Sequence, residues 1–385
     1  MAKLGEVCIQ ITDGSHNPPS GVEQSEYLML SSKNIDDDFI TLDSPRFLSH
    51  SDYIAENKRT TVSEGDLLMT IVGTIGRVAI VPKELKGICL QRSVAVIKPN
   101  KEIINNRYLM YQLQNMRSFL EKEARGVAQK GIYLKQVSQL DIKLPEIEQQ
   151  KQIVKVLDKV SKLISLRKQQ IAKLDELVKA RFVEMFGNII RNDKSWPIHN
   201  FSDIASSRLG KMLDAKQQTG KYSYPYLANF NVQWFNFNVD NLNQMDFNEA
   251  EQKEFELRDG DLLVCEGGEI GRCAVWHNEI QPCFFQKALH RVRCNRQLVQ
   301  PDYLAWWFKY NCNHGGFAEI AGAKATIAHL PGIKLKQLQV ALPPLSLQNE
   351  FAAFVERVDQ QKQTVQQSLE KLELMKKALM QEYFG

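Results

Sequence analysis

Paired cysteines, metal-ligand spacings and long apolar runs are missing from this 385-residue sequence. Its seven cysteines are scattered without any C-x-x-C spacing, so neither a zinc site nor a disulfide framework is predicted. No signal peptide is recognised, and no apolar stretch is long enough for a membrane helix. We therefore expect a soluble, cytoplasmic protein that has no membrane partner.

Motifs for nucleotide binding and catalysis are missing as well. The sequence contains neither G-x-G-x-x-G nor P-loop spacing. Asn-Pro-Pro at residues 17–19 is similar to the motif with which amino-methyltransferases hold a flipped adenine, but Ser20 stands where that motif has an aromatic residue. The segment around Asp302 leads into an aromatic helix and has no accompanying carboxylate-lysine cluster of a nuclease. We predict no catalytic residue, no cofactor and no metal.

The net charge of the chain is weakly positive, at +4. The composition is typical of a globular protein, with 43% hydrophobic and 24% charged residues. The positive excess lies in residues 149–187, which hold nine lysines and arginines against four aspartates and glutamates. A solvated helix face and a surface that faces phosphates both explain this excess.

Residues 149–187 carry an uninterrupted heptad pattern. Positions spaced alternately by four and three run from Ile153 to Met185 and are apolar except for Arg167 and Arg181. The same register returns 198 residues later from Phe351 to Tyr383, where Lys362 and Lys376 are the exceptions. Both stretches end in Phe-Gly. The pattern predicts two long helices that pair along their seams, and chain connectivity requires them to run antiparallel.

The segments between the helices repeat as well. Residues 64–81 read EGDLLMTIVGTIGRVAIV and residues 259–276 read DGDLLVCEGGEIGRCAVW, with nine matching positions. Each segment mixes short alternating runs, turns and a helical period, which predicts a mixed α/β (α+β) domain. The expected architecture is two similar globular domains separated by an antiparallel two-helix coiled coil about 58 Å long, related by an internal pseudo-twofold repeat. The predicted segments are 1–148, 149–187, 188–341 and 342–385.

Three groups of loop residues are candidates for contacts with DNA. The G-x-I-G-R loops offer backbone amides beside an arginine, although a plain β-turn also explains their glycines. Basic loops precede both long helices, where a flexible connection is equally possible, and polar turns open both domains with side chains that suit guanine or adenine. The candidates are Gly73, Gly76, Arg77, Gly268, Gly271 and Arg272 in the first group, Arg125, Gln129, Lys130 and Lys324 in the second, and His16, Asn17, Arg208 and Lys211 in the third.

The duplicated order of these features resembles the specificity subunit of type I restriction-modification systems. The resemblance rests on G-D-L-L and G-x-I-G-R in each domain, each leading through L-P into a long helix that ends in F-G. It implies that each globular part is a target-recognition domain that reads one half of a bipartite site in double-stranded DNA. It also implies that the paired helices set the spacing and dock two methyltransferase (M) subunits, through which restriction (R) subunits join. The family's specificity subunit is not itself catalytic.

Two alternatives stay open. The chain could be a DNA adenine methyltransferase-like enzyme that acts around residues 17–19, which turnover of S-adenosylmethionine by the purified chain would reveal. It could also be a structural adaptor without a DNA role, which the lack of sequence-dependent DNA binding in the presence of its partners would favour.

Overall fold

A computed structural model describes residues 1–124, 130–214, 218–318 and 329–385 of the chain. The chain divides into two compact units, each of which contains parts of both long helices. Unit 1 comprises Met1–Lys168 and Gln367–Gly385, and unit 2 comprises Gln169–Gln366.

The globular part of unit 1 combines nine described strands with five short helices. In chain order these are β1 (Ala2–Lys3), α1 (Leu4–Val7), β2 (Cys8–Asp13), β3 (Tyr27–Leu30), β4 (Arg46–Leu48), α2 (His50–Arg59), β5 (Leu67–Thr70), β6 (Val78–Ile80), β7 (Ile88–Leu90), β8 (Val94–Pro99), α3 (Asn106–Asn115), α4 (Arg117–Glu123), α5 (Leu134–Ser138) and β9 (Asp141–Ile142). They form an antiparallel sheet in the order β2-β8-β5-β6, a smaller sheet β4-β3-β7 and the pair β1-β9.

The central strand β5 is buried on both faces. Leu67 and Met69 belong to one hydrophobic cluster, which also contains residues of α3 and of the long helices. Leu68 belongs to a second cluster on the opposite face of the sheet. Because successive side chains of a strand point to opposite faces, a strand between two cores reads as a continuous apolar run. This explains the L-L-M sequence that follows Asp66.

Unit 2 repeats this arrangement. Its globular elements are β10 (Ile198–Asn200), α6 (Phe201–Ile204), β11 (Ala205–Leu209), β12 (Ser223–Leu227), β13 (Val232–Gln233), β14 (Asn236–Phe237), β15 (Asn243–Asp246), α7 (Glu249–Phe255), β16 (Leu262–Cys265), β17 (Cys273–Val275), β18 (Phe284–Phe285), β19 (Leu289–Cys294), α8 (Pro301–Asn313), α9 (Gly332–Lys336) and β20 (Gln339–Ala341). The sheets run β11-β19-β16-β17, β15-β12-β18 and β10-β20. Leu263 pairs with Arg291 as Leu68 pairs with Val96 in unit 1, at an offset of 195 residues. The predicted mixed α/β class and its internal repeat are confirmed.

Two helices of 40 residues each pass from one unit into the other: αA (Ile147–Phe186) and αB (Leu345–Phe384). αA begins two residues before the predicted segment and αB three residues after it. The two helices begin 198 residues apart, at equivalent positions of the repeat, and each begins two residues after a proline, Pro145 or Pro343. Every seam position from Ile153 to Met185 and from Phe351 to Tyr383 is buried or half-buried.

The two helices run antiparallel within each unit. In unit 1, Ile153 and Leu157 of αA share a hydrophobic cluster with Met380 and Phe384 at the end of αB, and Arg167 Nε donates to Ser368 Oγ at 3.3 Å.

The two helices are also antiparallel in unit 2. Lys362 Nζ lies 2.6 Å from Asp175 Oδ1, and Arg181 lies 2.7 Å from Glu350. Higher numbers on αA thus meet lower numbers on αB.

A buried glutamine fastens the first turn of each long helix to its globular domain. Gln150 accepts from Asn105 N at 2.8 Å and donates to the carbonyls of Ile103 (3.2 Å) and Pro145 (2.8 Å). Its side chain is fully enclosed.

Gln348 repeats these three bonds in unit 2. It accepts from Gln300 N at 2.9 Å and donates to Leu298 O at 3.1 Å and Pro343 O at 2.7 Å. Gln150 and Gln348 lie 198 residues apart, which is the offset of the heptad register.

Candidate nucleic-acid interface

The two G-x-I-G-R loops connect β5 to β6 and β16 to β17. All four glycines have positive φ angles, with Gly73 at 84°, Gly76 at 80°, Gly268 at 77° and Gly271 at 76°. Residues with a side chain rarely adopt this conformation, so the turn itself requires glycine at these positions. The geometry of the turn accounts for the glycine repeat before any ligand is considered.

The arginines of the two loops occupy different environments. Arg77 NH1 lies 2.7 Å from Asp36 Oδ1, and its side chain remains 35% exposed. Arg272 is 19% exposed, and its NH2 donates to the carbonyl of Asn229 at 3.1 Å and to the side chain of Asn229 at 2.9 Å. Arg77 is therefore accessible at the surface, whereas Arg272 mainly holds a neighbouring turn in place.

The first loop lines a surface cavity of about 440 Å³. The residues that line it are Gly73, Thr74, Ile75, Arg77, Arg117, Glu121 and Lys130. Gly73 N also donates to the carbonyl of Lys130 at 3.4 Å. The cavity thus brings together two groups of candidates that are more than 50 residues apart in the sequence, the glycine loop and Lys130.

Arg117 is a cavity residue that sequence reasoning missed. Its guanidinium forms an ion pair with Asp37, next to the partner of Arg77. Both acidic residues belong to the Asp36-Asp37-Asp38 turn, and Lys376 of αB lies 3.6 Å from Asp38. No sequence signal connects this turn to the glycine loop, although the run of three aspartates is itself unusual.

The G-x-I-G-R loop of unit 2 lies beside an equivalent segment of its own unit, as far as the structure describes that segment. Gly267 forms a bridge with His329, as Val72 does with Gly131 in unit 1. The candidates Arg125, Gln129 and Lys324 lie outside the described residues.

The polar turns that open the two domains contain a glycine in a tightly packed position. A Cβ atom at Gly14 would overlap the carbonyl of Leu90, and one at Gly210 would overlap the carbonyl of Gln286. Gly14 and Gly210 are therefore structural equivalents, at an offset of 196. With the same offset, Ser15 in the first turn corresponds to Lys211 in the second.

The candidates in the first turn are exposed. His16 Nε2 lies 2.7 Å from Asp13 Oδ2, and its side chain is 51% exposed. Asn17 is exposed as well. The adjacent Pro18 carbonyl accepts a hydrogen bond from Arg46 NH1 at 3.4 Å, which fastens the Asn-Pro-Pro segment to β4.

The candidates in the second turn are both paired. Arg208 is exposed and forms an ion pair with Glu254. Lys211 is only 11% exposed, and its ammonium donates to the Asp246 carbonyl and to Glu251, both at 2.6 Å. Lys211 therefore satisfies its charge inside unit 2.

No cluster of three or more His, Cys, Asp or Glu side chains in the described ranges could hold a metal ion. Burial raises the pKa of the Cys89 thiol to about 12, and the same cause raises the pKa of Cys283 to about 12, so both thiols stay protonated at neutral pH. No helix among the described residues is both long and apolar enough to cross a membrane.

The family model for the type I restriction modification DNA specificity domain matches residues 29–176 and 193–374 of this chain. The chain is 29% identical over 170 residues to the type I restriction enzyme MjaVIII specificity subunit of Methanocaldococcus jannaschii, covering 43% of this chain and 39% of that protein. It is 25% identical over 268 residues to a putative type I restriction enzyme specificity subunit of Haemophilus influenzae, covering 67% and 66%. A putative MjaX specificity subunit of M. jannaschii matches at 30% identity over 118 residues, 31% of this chain and 27% of the relative. The matches to the two M. jannaschii subunits thus span only about a quarter to two fifths of those proteins' length.

Two solved structures share the fold over the whole chain. The S subunit of a type I restriction-modification system from M. genitalium is similar with a TM-score of 0.59 at 13% identity, covering 100% of this chain and 95% of that one. A chain from a structure on the assembly and conformational transition of the type I R-M system is similar with a TM-score of 0.57 at 17% identity, covering 100% and 96%.

Proposed function

This chain belongs to the family of type I restriction modification DNA specificity domains, and we propose that it is the non-catalytic DNA sequence-specificity subunit of a type I restriction-modification complex. The observation that carries the proposal is the duplicated unit, in which the same sheet order presents the same glycine loop twice. A duplicated reader suits a bipartite target in double-stranded DNA, because each copy can read one half of the site.

In this proposal residues 1–148 and 188–341 are the two target-recognition domains, and residues 149–187 and 342–385 are the helices that set the spacing between the half-sites. The buried glutamines Gln150 and Gln348 support this division. Each bonds the first turn of a long helix to the globular part that precedes it.

The exposed candidates are the ones we assign to DNA contact. In unit 1 these are Arg77, Lys130, His16 and Asn17, with the glycines of the loop as the framework that presents Arg77. Arg117 joins them because it lines the same cavity as Arg77 and Lys130.

In unit 2, Arg208 is the assigned contact among the described residues. Lys211 and Arg272 act instead as supports of the binding loops, because their side chains are only 11% and 19% exposed and bond to neighbours inside the unit.

The partners in the complex are methyltransferase (M) subunits, for which two copies fit a duplicated scaffold, and restriction (R) subunits that join through the complex. Apolar side chains on the outer faces of the long helices support a docking role. Val156 and Leu163 in unit 1 and Leu177 in unit 2 are between 38% and 47% exposed. Exposed apolar side chains that recur along a helix are typical of a surface that another protein covers.

Mapping of modified bases tests this function. DNA from cells that carry this chain together with its methyltransferase should be modified at a bipartite sequence, and cells that carry the methyltransferase alone should lack that modification. Modification that is identical in both strains would refute the specificity role. Turnover of S-adenosylmethionine by the purified chain alone would favour an enzyme instead.

A further inference from the structure

A groove of about 440 Å³ follows the first half of αA in unit 1. Four exposed lysines line it, spaced by four, four and three residues, so that they share one face of the helix. The residues that line the groove are Lys151, Lys155, Lys159 and Lys162 with Asn105, Val154 and Asp158. We call it the lysine groove.

The single carboxylate of the lysine groove is already neutralised. Asp158 Oδ1 accepts from Arg107 Nε at 2.8 Å and from Arg107 NH2 at 2.6 Å. The hydroxyl of Tyr111 donates to the same oxygen at 2.7 Å. Asp158 therefore has little capacity left to compensate the lysines.

Three of the lysines carry charge that no described residue balances. Lys151 lies 2.5 Å from Glu148 on the same helix. Lys155, Lys159 and Lys162 form no ion pair with any residue in the described ranges. Three uncompensated positive charges thus line one groove, which favours an anionic ligand with several charges.

The lysine groove is a property of one unit only. At the equivalent positions 198 residues later the chain has Asn349, Ala353, Arg357 and Gln360, with a single positive charge. Over the whole helices, αA has nine lysines and arginines against five aspartates and glutamates, whereas αB has five against six. A partner that docks in the same way on both copies would need equivalent faces, so the lysine groove does not fit such a partner.

We propose that the lysine groove binds the phosphate backbone of duplex DNA outside the bases that the recognition loops read. This inference rests on the proposed function, since it takes DNA as the ligand. Lysine ammonium groups are point charges that bind phosphates without reading bases. From Lys151 to Lys162 the groove extends about 16.5 Å along the helix, which corresponds to the rise of about five base pairs. The surface adds affinity that is independent of sequence, and the loops add selectivity.

The test compares three double variants of the full chain in complex with its methyltransferase partner. Lys155→Gln with Lys159→Gln removes two charges from the groove. Lys173→Gln with Lys179→Gln removes two exposed charges from the same helix outside the groove, and Lys155→Arg with Lys159→Arg retains the charge. Fluorescence anisotropy with labelled duplexes of about 30 base pairs, longer than the helix, measures affinity between low and moderate salt. One duplex carries the mapped site and the other a scrambled sequence.

We expect the groove variant to bind both duplexes more weakly by the same factor. The slope of log K against log salt concentration should fall by about 1.8, at about 0.9 for each lost phosphate contact. The arginine variant and the Lys173/Lys179 variant should keep the wild-type slope.

Three results would overturn the inference. They are an unchanged slope in the groove variant, an equal loss in the Lys173/Lys179 variant, and release of the methyltransferase with DNA affinity intact, which would make the groove a protein interface. In each of these cases the wild-type complex would still prefer the mapped site, and the proposed function would stand. A wild-type complex that bound neither duplex would refute both proposals.

Discussion

The buried glutamines at the base of the long helices allow a sharp prediction about how each helix is held. Replacement of Gln150 by leucine keeps the approximate size of the side chain but removes one acceptor and both donors. The N–H of Asn105 and the carbonyls of Ile103 and Pro145 would remain buried without their partners. Each buried polar group that loses its partner costs about 1–3 kcal/mol of stability. Because the surroundings will relax around the three groups, we expect the free energy of local opening at this junction to fall by about 2–4 kcal/mol.

Hydrogen-deuterium exchange read by mass spectrometry locates the effect. A loss of about 2–4 kcal/mol raises the local opening equilibrium by about 30-fold or more. Peptides that cover the start of αA should therefore exchange faster in the Gln150→Leu variant, while peptides at the start of αB should not change. The Gln348→Leu variant should show the reverse pattern, with a similar magnitude because its three bonds are the same.

The neighbouring residue Gln149 supplies a matched control. It is exposed, so Gln149→Leu should leave exchange at both junctions near that of the wild type. If Gln150→Leu behaved like this control, the three hydrogen bonds would not hold the helix, and the reasoning would be refuted.

Three further predictions concern binding and assembly. Arg77→Ala should weaken DNA binding and lower the slope of log K against log salt concentration by about 0.9, and an unchanged slope would contradict this. Arg272→Ala should mainly lower the melting temperature, because the guanidinium of Arg272 bonds Asn229. Leu157→Asn places a polar group in a fully buried seam position and should cost at least the roughly 2–5 kcal/mol of a Leu→Ala change, with loss of the methyltransferase in size-exclusion chromatography; an intact complex of normal stability would argue against it. Seven residues inserted after Leu166 and after Thr364 keep the heptad register and lengthen each helix by about 10.5 Å, so modification mapping should reveal a spacer about three base pairs longer; an active variant with the original spacer would contradict the spacing role.

The candidate site was only partly predictable from the sequence. All four glycines of the G-x-I-G-R loops adopt a backbone conformation that other residues avoid, as a β-turn predicts, and their part in DNA contact stays a prediction. Which charged candidates form ion pairs, and with which residues, was not predictable from the sequence. The partner of Arg77 lies 41 residues away in the sequence, and the partners of Lys211 lie 35 and 40 residues away. Distances of that kind depend on how strands and helices pack.

The sequence by itself determined the repeat, the mixed α/β class and the register of the two long helices. These features depend on spacing along the chain, because burial of a helical face or of a strand between two cores repeats with the period of the element itself. Tertiary structure alone decided which charges are free. It enclosed Lys211, paired Asp158 with Arg107 and left Lys155 and Lys159 exposed in a groove. The physical reason is that the charge available to a ligand depends on neighbours in space, and a linear sequence does not specify those neighbours until the chain has folded.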